Sequence, residues 1–236
     1  MRQPRRLVLP ALAVAGLFAV SACGDVGYTA TYVEHKPSQG AYGQHDSGHG
    51  GSTGEAAAPI GQGSVVNASG AQIGTVEFGQ AADGVHVTVE VSGLQPGYHG
   101  LHVHAIGKCE GNSADPTDAT KTGPFLSSGP HLAGQGSAHP EHAGDLPVLL
   151  VGADGKGTLD TTSERLTPEL LFDADGSSIV IHGSADNYAN IPTRYASAGP
   201  DDETKKAGDS GPRVACAVLT KTEAGSTAGA TAGSGH

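Results

Sequence analysis

Apolar and polar residues alternate with a period of two along much of the chain between residues 60 and 220. The clearest run covers residues 85–91, where four valines alternate with polar residues. Because successive side chains of a strand point to opposite faces of a sheet, this spacing predicts a strand with one buried face. Similar short runs between glycine-rich turns predict further strands at 64–66, 73–78, 101–105, 148–151, 157–161, 178–181 and 214–219.

Helical periodicity is weak everywhere in this region. One helical turn is predicted at residues 167–171, with Thr167 as N-cap and Pro168 at the first helical position. About eight short strands with this spacing predict an all-β, antiparallel sandwich or barrel. Two connections, 109–147 and 187–212, are too long for turns, and loops of that length in a compact domain are often functional.

The N-terminus carries the pattern of an export signal. Three arginines precede an apolar run at residues 7–20, which is shorter than the roughly 20 residues that span a bilayer. We therefore predict a signal peptide at 1–22. The sequence Val20-Ser21-Ala22-Cys23 resembles a bacterial lipobox, so Cys23 is expected to be acylated and to anchor the protein outside the cytoplasm, on the cell membrane; ordinary cleavage is the alternative.

Low-complexity sequence flanks one predicted domain. Residues 23–59 are rich in small and polar residues and are predicted to form a disordered, lipid-anchored linker, and residues 221–236 a disordered tail. The domain is expected at 60–220. Three linker histidines are interpreted as solvated, with a metal-capture arm as the alternative; they are His35, His45 and His49.

Charge and cysteine content narrow the function classes. Loss of residues 1–22 removes three arginines and no acid, so the net charge changes from −11 to −14. Such an acidic body argues against nucleic-acid binding, and an anionic substrate would need a local positive patch. Outside the cytoplasm, Cys109 and Cys216 are expected to form a disulfide, with two separate thiols as the alternative.

A histidine constellation carries the candidate chemistry. His102 and His104 flank Val103 on a predicted strand, so both imidazoles can reach one ion while Val103 faces the core. Imidazole suits copper and zinc, but seven ligands exceed what one such ion binds, so either two metals are bound or one group is shared. His86 and His99 are interpreted as a solvent-facing and a structural residue. Further candidate ligands are His131, His139, His142, Asp145 and His182.

At residues 61–219 the order and spacing of these motifs resemble the copper/zinc superoxide dismutases, in their exported bacterial lipoprotein form. The motifs are Gly-Leu-His-Val-His at 100–104, Gly-Lys-Cys at 107–109, Gly-Pro-His at 129–131, His-Ala-Gly-Asp-Leu-Pro at 142–147, Val-Ile-His-Gly at 180–183 and Arg-Val-Ala-Cys at 213–216. This family is classed among the immunoglobulin-like Greek-key sandwiches, which is the fold the resemblance implies. It also implies dismutation of superoxide to dioxygen and hydrogen peroxide.

The resemblance further assigns metal ligands. Copper would be held by His102, His104, His131 and His182 and would cycle between oxidation states. A redox-silent zinc would be held by His131, His139, His142 and Asp145, so that His131 is shared as an imidazolate and also exchanges a proton during catalysis.

Other residues receive roles by the same resemblance. Asp186 would accept hydrogen bonds from His102 and His139, and Arg213 would attract and orient superoxide. Cys109 and Cys216 match the family disulfide. Ala217 stands where the family usually has glycine. The charges that guide the substrate are left open, with Arg194, Lys205 and Lys206 as candidates, and the oligomeric state is open between monomer and homodimer.

One alternative function uses the same fold. A non-enzymatic copper-buffering lipoprotein would bind copper through the histidines and acquire it through the linker. Arg213 and the complete set of copper ligands favour the enzyme, since a metal buffer has no use for an anion-binding arginine beside the metal.

Overall fold

A computed structural model describes residues 58–136 and 138–222. Within these residues nearly all regular structure is β, and the two α-helices, α1 (Pro168–Leu171) and α2 (Thr204–Ala207), have four residues each. The strands are β1 (Ala58–Asn67), β2 (Gln72–Ala81), β3 (Gly84–Val91), β4 (Gly97–His99), β5 (Leu101–His104), β6 (Ser113–Asp115), β7 (Asp118–Gly123), β8 (Leu149–Val151), β9 (Gly157–Ser163), β10 (Ser178–His182), β11 (Arg213–Val218) and β12 (Thr220–Lys221).

The main sheet is antiparallel and curls into a nearly closed barrel. Its strand order is β4-β8-β9-β3-β2-β1-β11-β10-β5, with β12 paired to β1. The two edge strands, β4 and β5, are separated along the chain by Gly100 alone, so the two edges of the sheet must lie close together. Gly100 is needed at this corner because a Cβ there would lie 2.6 Å from Cβ of Ser210.

All eight predicted strands are present, and the all-β prediction is confirmed. The predicted helical turn is confirmed as well: Thr167 caps α1, its side chain accepts a hydrogen bond from the Leu170 amide at 3.3 Å, and Pro168 begins the helix. The two long connections, 109–147 and 187–212, contain regular structure that the sequence pattern did not predict. The first contains the β6–β7 hairpin and a 3₁₀ turn (Leu126–Ser128), and the second contains α2.

The alternating valines of β3 build the core. Val85, Val87 and Val89 are fully buried and pack with residues from β2, β5 and β10 in one apolar cluster. Val103 belongs to this cluster, so the strand that carries two of the candidate ligands is anchored by the core between them. A smaller cluster joins Phe125, Val180 and Cys216 on the other face of the sheet.

Across the described residues, none of the helices has the length and apolar character needed to cross a membrane. The predicted signal peptide, Cys23 and the linker histidines lie outside the described residues.

Candidate metal centre

The free edge of β5 organises the site. One side of β5 pairs with β10. On the other side, the backbone of β5 exchanges hydrogen bonds with the long loop that follows. The Val103 amide donates to the Gly144 carbonyl at 2.8 Å, and the Leu132 amide donates to the Val103 carbonyl at 2.8 Å. These contacts satisfy edge groups that would otherwise be unpaired, and they place Asp145 opposite His102 and His131 opposite His104.

Four histidines converge at this edge. His102 and His104 come from β5, His182 comes from the end of β10, and His131 comes from the loop. One donor atom from each lies within 4.8 Å of the others, and all four side chains are buried. An all-imidazole set of this kind can hold a copper ion.

Asp145 gathers a second set of donors from the loop. Its Oδ1 lies 2.7 Å from Nδ1 of His131 and 3.1 Å from Nδ1 of His139, and its Oδ2 lies 3.1 Å from Nδ1 of His142. Donors of a tetrahedral zinc site lie about 3.3 Å apart, so this spacing is close to that of a zinc site with three nitrogens and one oxygen. His102 also lies near, with donors of His102, His131, His139 and Asp145 all within 4.8 Å.

The outer ring nitrogens of these histidines are held by the protein. Nδ1 of His104 lies 2.8 Å from the Gly129 carbonyl, and Nδ1 of His182 lies 3.0 Å from the Gly211 carbonyl. Such contacts fix the tautomer and the orientation of a metal-binding ring.

Asp186 holds two rings at once. Its Oδ2 lies 2.8 Å from Nε2 of His102 and its Oδ1 lies 2.8 Å from Nε2 of His139. The carboxylate therefore connects a ring of the first set to a ring of the second. Gly208 packs directly against it: φ is +57°, and a Cβ at this position would overlap Oδ1 of Asp186. Sequence reasoning did not find Gly208, because only the fold brings it to the carboxylate.

Six buried ring nitrogens are left without a hydrogen-bond partner among the described residues. They belong to six different histidines: Nδ1 of His102, His139 and His142, and Nε2 of His104, His131 and His182. Leaving so many polar atoms buried and unpaired costs stability unless they bind something. The donor set therefore fits copper and zinc.

His99 is a useful contrast, because it is buried but does not fit a metal. Its Nδ1 lies 2.6 Å from the His182 carbonyl and its Nε2 lies 2.8 Å from the Gln95 carbonyl, so neither nitrogen is free. His86 lies on the outer face of β3 and contacts Oδ1 of Asp160 at 3.0 Å. Both placements agree with the interpretation of these two histidines as non-ligands.

The electrostatics of the site favour metal-binding protonation states for most ligands. Burial lowers the pKa of His104 and of His182 well below 6.5, and burial lowers the pKa of His131 to about 4, so these rings are neutral at pH 7. Burial opposes the charge of Asp145, but the hydrogen bond from His131 and the close approach of the His139 ring outweigh it and hold its pKa below the usual range.

His139 differs from the other rings. Burial opposes its protonation, but the carboxylates of Asp145 and Asp186 outweigh that effect and raise its pKa to about 9. In the metal-free protein this ring is therefore protonated at neutral pH, and a metal ion must displace that proton to bind.

A β-bulge directs Arg213 to the site. Ile181 pairs with Ala215 and the next residue, His182, pairs with Arg213, so Val214 is an extra residue in β11. Strict alternation would put Arg213 on the core face with Ala215; the bulge turns it to the opposite face.

The guanidinium of Arg213 is then held in place by the preceding long loop. Nη1 donates to the Phe125 carbonyl at 2.8 Å and to Ser128 Oγ at 2.9 Å, and Nη2 donates to the Gly129 carbonyl at 2.8 Å. Burial lowers the pKa of Arg213, which nevertheless stays charged at neutral pH.

A cleft of about 530 Å³ is lined by Arg213 and by four of the histidines, His104, His131, His142 and His182. Of the three residues considered as guiding charges, Lys205 and Lys206 line it, whereas Arg194 stacks over Tyr195 with its Cζ 4.8 Å from the ring centroid. Lys121 of β7 also lines the cleft and was missed, because the strand that carries it was not predicted. Acidic side chains at the rim are Asp115 and Glu203.

Cys109 and Cys216 form a disulfide, with their Cα atoms 5.6 Å apart. Cys216 lies in β11, three residues after Arg213, and Cys109 lies at the start of the loop that holds the guanidinium. The disulfide therefore links the strand that carries Arg213 to the loop that holds its guanidinium.

A histidine-rich metal site at the edge of an antiparallel β-barrel defines a class of metalloenzyme, and the comparisons give the family. Residues 72–219 match the family described as copper/zinc superoxide dismutase, and the chain belongs to it. It is an oxidoreductase whose cofactors are copper and zinc.

Individual relatives agree. The chain is 37% identical over 222 residues to the copper-zinc superoxide dismutase of Mycolicibacterium paratuberculosis, covering 90% of this chain and 97% of that protein. It is 42% identical over 158 residues to that of Mycobacterium tuberculosis, covering 64% of this chain and 65% of that protein. A crystal structure of a mutant SOD-like protein from Bacillus subtilis aligns with a TM-score of 0.51 at 27% identity, covering 66% of this chain and 95% of that one.

Proposed function

We propose that this protein dismutates superoxide outside the cytoplasm, with copper bound by His102, His104, His131 and His182, and zinc bound by His131, His139, His142 and Asp145. The observation that carries the proposal is the convergence of six histidines, each with one buried ring nitrogen left without a hydrogen-bond partner among the described residues. Family membership supplies the reaction, and the geometry supports the assignment of ligands.

For the zinc set, His142 is preferred over His102 as the fourth ligand. His102 also lies near Asp145, but its Nε2 is held by Asp186 and its free Nδ1 belongs to the all-imidazole set. The free Nδ1 of His142 lies 3.1 Å from Oδ2 of Asp145 and has no other use. Two oxygens of one carboxylate thus lie next to three imidazoles.

His131 is proposed as the shared ligand because its two nitrogens serve the two sets. Nδ1 lies against Asp145, and Nε2 is buried without a partner beside the rings of His102 and His104. When bound, copper supplies the electron transfer of dismutation while zinc is redox-silent. His131 would hold and return a proton at Nε2, and Asp145 would keep the ring in place through Nδ1.

Arg213 is proposed to bind the superoxide anion in the cleft. Three hydrogen bonds fix its guanidinium beside His104, His131 and His182, all of which line the same opening. In a protein with a strongly negative net charge, this fixed cation gives the anion a local attraction beside the histidines, to which the lysines that line the cleft add.

The first test is superoxide dismutation by the purified protein loaded with copper and zinc, with each metal quantified, beside the variant His182→Ala. We expect turnover that depends on copper and falls to background in the variant, because one copper ligand is lost. His86→Ala, which changes an outward-facing histidine of β3, is the matched control and should retain turnover. Full copper binding without turnover in the unaltered protein would refute the proposal.

The alternative of a copper-buffering protein makes a different prediction for Arg213. A metal buffer would bind copper equally well without this cation, whereas in the enzyme Arg213→Gln should retain copper but lower kcat/KM for superoxide by about tenfold or more, because a fixed cation raises the encounter rate of an anion. Arg213→Lys keeps the charge and should lose less. Copper content and kcat/KM that are both unchanged in Arg213→Gln would contradict the proposed role of Arg213 in binding superoxide.

The same proposal covers the location and domain organisation. Residues 1–22 would be the signal peptide, 23–59 a lipid-anchored linker, 60–220 the enzyme domain and 221–236 a tail. Supporting observations are the signal pattern, the lipobox-like Cys23, the disulfide and a family match that starts at residue 72. Strand β1 begins at Ala58, two residues before the proposed boundary, and β12 ends at Lys221, one residue after the proposed end of the domain.

Membrane anchoring is tested by mass spectrometry of the protein from a bacterial membrane fraction. An acylated Cys23 at the new N-terminus is expected, and Cys23→Ser should move the protein from the membrane to the soluble fraction. An intact N-terminus, or cleavage elsewhere with Cys23 unmodified, would contradict the lipoprotein proposal but not the enzymatic one.

A further inference from the structure

Three of the four zinc ligands proposed above lie on an irregular segment, residues 139–148, which no strand of the main sheet includes until β8 begins at Leu149. The segment supplies His139, His142 and Asp145. Only a few hydrogen bonds connect it to the barrel, among them that of the Leu146 amide to the Leu101 carbonyl at 3.3 Å. Precise placement of three ligands therefore requires support from outside the sheet.

Arg165 provides such support. Its Nη1 donates to the Pro140 carbonyl at 2.8 Å and its Nη2 donates to the Asp145 carbonyl at 3.2 Å. One guanidinium thus joins the residue that follows His139 to the last ligand of the segment. A planar guanidinium can hold two acceptors in a fixed relation, which a lysine ammonium cannot do.

The base of Arg165 is itself well anchored. Ser163, two residues before it, ends β9 and pairs with Val85 of β3. Leu166, directly after it, is fully buried in the main core, and Thr167 caps α1. The contacts of Arg165 therefore fix the position of the segment relative to the rigid part of the barrel.

Tyr188 contacts the same segment from a second side. Its hydroxyl accepts a hydrogen bond from the Val148 amide at 2.8 Å, and its ring lies parallel to that of His139, with centroids 6.2 Å apart and an interplanar angle of 8°. Its own amide donates to Oδ1 of Asp186 at 2.7 Å. Arg165 and Tyr188 line one small cleft on the outer side of Asp145.

We propose that Arg165 and Tyr188 are positioning residues that clamp segment 139–148 from outside and thereby set how tightly zinc is retained. The inference rests on the proposed zinc ligands. Neither side chain touches the copper set through the contacts described, so zinc retention should depend on the clamp much more than copper retention does.

The test measures metal release. Protein loaded with copper and zinc is mixed with a chromogenic chelator, and the release rate of each metal is followed. We expect zinc release about tenfold faster in Arg165→Gln, with copper release unchanged, since outer partners of metal ligands typically affect affinity 10- to 100-fold. Arg165→Lys should behave like Arg165→Gln if the two-carbonyl contact matters, and Tyr188→Phe should show a smaller acceleration.

A purely structural role is distinguished by the metal-free protein, whose melting temperature should change by no more than about 2 °C in Arg165→Gln. Lys156→Gln, which removes a positive charge from the β8–β9 turn, is the matched control. Zinc release equal to the unaltered protein in both Arg165 variants, or equal acceleration of copper and zinc release, would overturn the clamp.

Asp145→Asn separates this inference from the proposed function. If zinc leaves the unaltered protein as fast as it leaves Asp145→Asn, the proposed zinc site is wrong and the clamp falls with it. If Asp145→Asn releases zinc quickly, the unaltered protein retains it and the Arg165 and Tyr188 variants retain it equally well, the zinc site stands and the clamp alone is refuted.

Discussion

The two halves of the metal site are positioned in different ways. His102, His104 and His182 lie on β5 and β10, where ladder hydrogen bonds and the core fix the backbone on which they stand. The loop ligands have no such ladder and depend on single contacts: the free edge of β5, the carboxylate of Asp186, and the side chains of Arg165 and Tyr188. The fold as a whole therefore positions the ligands on strands. The ligands on the loop are positioned by individual residues whose role can be identified only from the structure.

Asp186 joins the two halves through hydrogen bonds to His102 and His139, and its loss is expected to have the largest effect. In Asp186→Ala, Nε2 of His102 and of His139 both lose their partner, so the affinities for copper and zinc should each fall about 10- to 100-fold. Competition with metal chelators at neutral pH measures both. The control is Asp186→Asn, which keeps one acceptor oxygen and should lose less.

Equal loss of both metals would mean that the carboxylate supports the two halves alike. If Asp186→Ala lowered the affinity for zinc alone, the ligands on the strands would be shown to need no support from the carboxylate. Unchanged affinity for both metals would contradict the positioning role.

The disulfide ties the long loop to the sheet, and its removal should have the next largest effect. Replacing Cys109 and Cys216 by serine opens a cross-link that spans 107 residues of sequence, which should lower the free energy of unfolding by about 2–4 kcal/mol. Denaturant unfolding of the metal-free protein measures this. We also expect Arg213 to bind superoxide less well, because the loop carbonyls that hold its guanidinium are less fixed. Unchanged stability would show that the loop is held by its other contacts.

The strand-held half could largely be predicted from the sequence, because the period-two pattern places His102 and His104 on one face with Val103 in the core. The number and order of the remaining histidines indicated the resemblance to the family, and that resemblance predicted the ligands on the loop. Strands β6 and β7 were missed because their residues are mainly polar and partly exposed, so no alternation marks them.

The supporting residues could not be predicted by any rule of spacing. Arg165 lies 20 residues from Asp145 along the chain, and nothing in its sequence neighbourhood indicates a contact with a loop carbonyl. The orientation of Arg213 depends on one bulged residue, Val214, whereas regular alternation would have turned its side chain into the core. Such features depend on tertiary structure, which overrides the local pattern.

Gly208→Ala tests the loop-held half through the backbone. The residue has a left-handed φ of +57°, and an alanine Cβ would overlap Oδ1 of Asp186. We expect a loss of about 1–2 kcal/mol in unfolding free energy and faster zinc release, because the carboxylate must shift away from His139. Thermal unfolding and chelator competition measure the two effects. Gly199→Ala is the matched control: φ is +77° but a Cβ there has no neighbour within 4 Å, so it should show the backbone cost alone.

Ala217→Gly tests the strand-held half and should have the smallest effect. Ala217 occupies the position where glycine is usual in the family, but its side chain is fully buried in the main core and its backbone pairs with Ile179, four residues away from Arg213. Glycine should therefore cost about 0.5–1 kcal/mol of unfolding free energy through chain entropy and lost packing, without changing kcat/KM or metal content. A changed kcat/KM for superoxide would mean that the backbone at 217 does influence Arg213 through the bulge at Val214. The positions of the functional residues on the strands would then depend on local backbone geometry as well as on the ladder of hydrogen bonds.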